Sequence, residues 1–93
     1  MNTYAILRRN GWRTAEDLEQ AAARSTAEGE RMGDEVRWIR SYVITEEDGT
    51  LGTVCIYQAT DPDAIRRHAG GADLPATEII PVADTVIVRD DPS

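Results

Sequence analysis

Ninety-three residues suffice for one small domain with a single modest core, and a hydrophobic content of 41% excludes a disordered chain. Seventeen acidic against 10 basic residues give a formal net charge of −7, which excludes nucleic acid and anionic membrane as natural partners, because phosphate binding needs a positive surface. All the bases are arginines, a bias expected of a GC-rich genome, and the single cysteine rules out an intrachain disulfide.

Thr3 to Leu7 is a short apolar run that reads as the first strand, ended by Arg8-Arg9-Asn10-Gly11. Thr14 precedes Ala15-Glu16-Asp17 as an N-cap with acids in the first turn, and Leu18, Ala22, Ser25 and Met32 follow at roughly helical spacing. A helix over 15–31 is predicted, ended by Gly33-Asp34. Val36 to Thr45 forms the second strand and Leu51 to Ala59 the third, joined through Glu46-Glu47-Asp48-Gly49 as a solvated hairpin tip. Asp61 caps a short helix with Pro62 at its first position, expected over 62–69 and stopped by Gly70-Gly71. Ile79 to Val88 carries the last strand signal, interrupted by Pro81, and Asp90 to Ser93 reads as a tail.

The order βαββαβ is that of a ferredoxin-like α+β sandwich, a single domain over 1–93. Both helices cover one face of an antiparallel sheet. The bare face calls for a partner, and a homodimer of the dimeric α/β-barrel type supplies one. Met1-Asn2-Thr3-Tyr4 carries no basic region followed by an apolar run, and no apolar stretch is long enough to span a bilayer, so a cytoplasmic location is expected.

Strand alternation sorts the polar and aromatic residues. If Ile39 and Val43 point to the helices, then Trp38, Arg40 and Tyr42 point to the open face, where Cys55 and Tyr57 can join them, and Tyr4 from the first strand. Such a set suits a dimer interface, and equally a pocket for a small, partly anionic or aromatic molecule. Cys55 also reads as a small buried apolar side chain, and Trp12 as a staple over the core or a ligand-stacking ring. His68 is the only imidazole and lies on the border of the buried helix face, as a general base, a metal ligand, or a histidine bonded to a neighbouring element. Asp61, Asp63, Asp73 and Glu78 are the nearby carboxylates for a mixed N/O site suited to a borderline divalent ion.

Val36-Arg37-Trp38-Ile39-Arg40-Ser41-Tyr42-Val43, Cys55-Ile56-Tyr57-Gln58-Ala59, Ala64-Ile65-Arg66-Arg67-His68-Ala69, Leu74-Pro75-Ala76 and Ile79-Ile80-Pro81-Val82 together resemble a small bacterial domain-of-unknown-function family. Its described members are ferredoxin-like homodimers that bind nickel. The resemblance spans residues 3 to 88. It differs in a longer turn from Glu46 to Gly52 and in Gly70-Gly71-Ala72-Asp73, which replaces a more basic helical stretch. It implies the fold, a dimer, and nickel or another divalent transition metal, for which His68, as the only imidazole, and the nearby carboxylates are the candidate ligands. The alternative is a cofactor-independent dimeric α/β-barrel enzyme (isomerase, cyclase or lyase) acting on a small metabolite. There His68 is the acid/base, Arg40 stabilises negative charge, and Tyr42 or Tyr57 donates a proton. A non-catalytic dimer that binds another protein is the third reading.

Overall fold

The computed structural model describes residues 1–91; Pro92 and Ser93 of the expected tail lie outside the described residues. The elements run β1 (Asn2–Trp12), α1 (Ala15–Arg31), β2 (Val36–Thr45), β3 (Leu51–Ala59), α2 (Pro62–Ala72) and β4 (Glu78–Pro81). The sheet has the order β2-β3-β1-β4 with all neighbours antiparallel, so the chain is an α+β ferredoxin-like βαββαβ sandwich.

Both helix starts follow from local chemistry. The Thr14 hydroxyl accepts from the Asp17 amide at 3.1 Å, and the Asp61 carboxylate accepts from the Ala64 amide at 2.8 Å, with Pro62 opening the helix. α2 does not stop at Gly70-Gly71 as expected but continues to Ala72, which is buried. The stop comes at Asp73, in the left-handed conformation at φ 54°, and the Leu74 amide then bonds back to the Ala69 carbonyl. Among the described residues nothing lies within contact of a Cβ at Gly70, while the Glu28 side chain packs over Gly71, which has no Cβ to meet it.

β1 does not end at Arg8-Arg9 but runs to Trp12. Its pairing with β3 shifts register between Arg8 and Trp12, where Asn10 adopts φ 52°. Two links hold this irregular stretch. Arg9 makes a two-pronged bond to Glu46, with Nε–Oε1 and Nη2–Oε2 both at 2.9 Å, and the Asn10 side chain reaches Asp48 and Thr50. Glu46 is therefore not a solvated tip residue but is buried, and its pairing with Arg9 holds its carboxyl below the usual range. The Asp48 carboxylate instead organises the turn by accepting from Thr50, at its amide and at its hydroxyl.

The same crossing leaves no room at Gly52. A Cβ there would lie 2.7 Å from the Arg8 carbonyl oxygen and 2.6 Å from Glu46 Oε1, and the first of these is backbone that cannot swing away. Gly52→Ala is expected to cost about 1–3 kcal/mol in urea unfolding, the range for overpacking. A neutral result would mean that β1 and β3 separate here at little cost.

β4 is shorter than the sequence suggested. Pro81 closes it, and only the Val82 amide, bonded to the Thr3 carbonyl at 2.9 Å, continues the ladder. Val86, Ile87 and Val88 leave the sheet and stand 87%, 78% and 79% exposed. The core lies between sheet and helices and contains Tyr4, Ile6, Met32, Val36, Cys55, Tyr57, Ala59, Ala64 and Ile65.

Candidate functional site

The alternation expected of β2 fails at one residue. Trp38 pairs with Tyr57, but the next register pair is Arg40 with Ile56, so Ile39 is the extra residue of a bulge. Residues directly opposite on antiparallel strands share a face, and the bulge puts Trp38 on one side of the sheet and Arg40 and Tyr42 on the other. Tyr57 contacts both helices: its hydroxyl lies 2.9 Å from Ser25 Oγ of α1, and its ring meets the His68 ring of α2 edge-on at 5.4 Å. Trp38, Cys55, Tyr57 and Tyr4 therefore face the helices, correcting their expected place on the open face. Small helix residues, Ala21, Ala64 and Ala69 among them, leave room for these rings beneath the helices.

Arg40 and Tyr42 lie on the open side as expected, where both hold Asp91. Arg40 Nη1 donates to Oδ2 and the Tyr42 hydroxyl to Oδ1, each at 2.6 Å. The four residues expected to act together, His68, Arg40, Tyr42 and Tyr57, are thus split by the sheet: the helix-side cleft takes in Tyr57 and the edge at Arg40, the open face takes in Arg40 and Tyr42, and His68 lines neither.

His68 is 1% exposed. Its Nε2 lies 3.1 Å from the Ser25 carbonyl, which only accepts, so Nε2 carries the proton, and among the described residues Nδ1 has a free lone pair with no hydrogen-bond partner. Burial is the main cause that pushes the imidazole pKa below its ordinary value. Arg8 lowers it further, and the Ser25 bond and Glu28 oppose the shift. Among the described residues no three His, Cys, Asp or Glu side chains gather where an ion would sit. His68 as it stands, sealed and bonded to α1, does not fit a nickel centre within one chain. Cys55 is a small buried residue whose thiol donates to Thr53 Oγ1 at 3.2 Å.

A cleft of about 520 Å³ opens between the N-terminal half of α1 and the helix-side face of the sheet. Trp12, Trp38, Leu18 and Leu74 contribute apolar walls, and Cys55, Tyr57 and the edge at Arg40 also line it. Trp38 stacks nearly parallel on Tyr57, with centroids 6.0 Å apart and an interplanar angle of 5°. Trp12 is 8% exposed at the end of β1, so it is both core and cleft wall.

One lining residue escaped sequence reading altogether. Arg8 is 1% exposed, and its guanidinium carbon sits 5.8 Å from the Tyr57 ring centroid. Arg8 Nη1 donates to the Pro75 carbonyl, and Nη2 is buried with no hydrogen-bond partner among the described residues. The available signal was its spacing. Tyr4, Ile6 and Arg8 alternate along β1, so Arg8 continues the inward face beyond the apparent end of the strand.

No helix of the described residues is long and apolar enough to cross a membrane. No curated protein matches this sequence. Among solved structures, the crystal structure of SCO4226 from Streptomyces coelicolor A3(2) is similar with a TM-score of 0.70 at 19% identity, over 90% of this chain and 99% of that one. At that identity the likeness speaks for the fold. The sequence profile described as "Nickel responsive protein SCO4226-like" matches residues 4–82, nearly the whole described chain, and the chain belongs to that family.

Proposed function

We propose that this protein is a cytoplasmic, nickel-binding homodimer that holds the ion with ligands drawn from both copies, as a sequestering or sensing protein. Membership of a family described as nickel responsive is the observation that carries the reading. The charge of −7 supports it, since cation capture gains from an acidic surface. The dimer is supported by what one copy leaves uncovered. The half-buried Ala5, Leu7, Val54 and Ile56 and the exposed Ile80 line the open sheet face, and Val86, Ile87 and Val88 stand with their side chains in water. A contiguous apolar surface of this kind is unusual on a monomer, and a second copy would cover the face and pair the stray segment. With no ligand cluster within one described chain, a shared site is the arrangement that reconciles the family with this molecule.

Sedimentation and calorimetry test both parts. The wild type is expected to sediment at twice the 10.3 kDa of one chain and to bind nickel with a saturable heat. Ile87→Gln is expected to shift the protein toward monomer and to lose that heat, while His68→Gln keeps it. A monomeric wild type, or nickel bound equally well by a monomeric Ile87→Gln protein, would remove the shared site.

A further inference from the structure

The geometry points to a second ligand site, unrelated to nickel: the cleft under α1 binds a small aromatic or apolar carboxylic acid, with its carboxylate on Arg8 and its hydrocarbon part against Trp12 and Trp38.

The argument begins with charge. Arg8 carries a permanent positive charge, is 1% exposed, and takes part in none of the ion pairs formed among the described residues. A buried cation without a counter-ion is costly, and a neutral carbonyl at Nη1 together with the face of Tyr57 compensates it only in part. Nη2 is left with donor capacity and no acceptor. A guanidinium presents paired N–H donors at the spacing of a carboxylate's two oxygens, so the missing partner has the chemistry of a carboxylate.

Apart from the exposed Glu19, the other polar side chains of the cleft are already engaged: Arg40 is paired with Asp91, and Ser41 Oγ accepts from Trp38 Nε1. Ser25 Oγ is bonded to the Tyr57 hydroxyl, and Thr53 Oγ1 accepts from Cys55. They offer little to a sugar or a polyol. What remains is Arg8 amid flat apolar walls, and about 520 Å³ is room for a one- or two-ring molecule. Glu19 also lines the cleft and is exposed, so it disfavours a dianion more than a monoanion.

The test compares 2-naphthoate with its neutral isostere 2-naphthamide by calorimetry on the full chain without nickel. The wild type is expected to bind the acid at least about 10-fold more tightly than the amide, the gain expected of one charge-assisted pair. Arg8→Met keeps the length of the side chain and removes the charge. It is expected to bring the two affinities together while the amide still binds, which also shows that the variant is folded. Should Arg8→Met fail to fold, the wild type still decides. The two tryptophan indole N–H resonances, from Trp12 and Trp38, are both expected to move on titration with naphthoate. Equal binding of acid and amide by the wild type, no saturable binding of either, or indole signals that stay in place would each overturn the site. So would an acid preference that survives in Arg8→Met.

Discussion

Replacing Tyr57 by alanine is expected to cost about 3–5 kcal/mol, the range for deleting a large buried aromatic side chain, out of a total stability of about 5–15 kcal/mol for a domain of this size. The ring is 1% exposed and sits where four supports meet: the stack of Trp38, the edge of His68, the hydroxyl of Ser25 and the guanidinium of Arg8. Tyr57→Phe separates packing from polarity. It keeps the ring and removes one hydrogen bond, leaving Ser25 Oγ without that partner, so about 1–3 kcal/mol is expected. Tyr42→Phe is the control. Its hydroxyl bonds to Asp91 on the other face, where the ring is 43% exposed, and the expected change is within about 0.5 kcal/mol. Urea midpoints at one fixed protein concentration give the comparison, so that any dimerisation enters all variants alike. Equal losses in the two phenylalanine variants would mean that both rings lie on one side of the sheet, as unbroken alternation from Trp38 to Tyr42 requires.

That comparison also marks where sequence reading ends. The caps at Thr14 and Asp61, the span of α1, both strands of the β2–β3 hairpin and the order of elements are legible, because each depends on neighbours a few residues away. The open-face placement of Trp38 is not, because one bulged residue, Ile39, inverts the pattern before it. A bulge depends on how two strands fit against helices, and an apolar residue such as Ile39 suits either side. Glu46 is misjudged, and Arg8 passed over, for a related reason. Charged residues are read as exposed, yet the crossing of β1 over the hairpin covers Glu46 beside Arg9, and the approach of Pro75 covers Arg8. The nickel reading rests on the resemblance, with the acidic charge beside it, and the family profile bears the resemblance out. Its assignment to His68 rested on the single imidazole in the sequence, and the fold takes that imidazole into the core.

The burial of His68 makes stability fall on mild acidification, before any carboxylate titrates. The chain has one histidine, so the effect has one source. In the unfolded chain the imidazole takes up a proton near about pH 6.5, whereas in the fold its pKa is lower, chiefly because burial disfavours the cation. Between the two values the unfolded state binds a proton that the native state refuses. The stability is fully present above about pH 6.5, declines as pH falls toward the folded value, and levels off beneath it, with a slope of at most about 1.4 kcal/mol per pH unit for one proton. Glu28 and Glu46, whose pKa values are lowered by Arg31 and Arg9, and Asp48, lowered by Thr50, act in the same direction. They do so only as pH nears the carboxylate range, about pH 4, which leaves the interval from about pH 6.5 to 5 to His68. Structure explains the sign: Nε2 already donates to the Ser25 carbonyl, and a proton on Nδ1 would be a buried donor with nothing to accept it. Urea unfolding at steps across this interval is expected to show the decline in the wild type and a flat profile in His68→Gln. The same series with nickel present separates a sealed core imidazole from a metal ligand. Nickel that flattened the wild-type profile would show that the ion competes with the proton for the imidazole, and the shared site would then have to include His68. A profile unchanged by the ion leaves the imidazole as the polar link between α1 and α2.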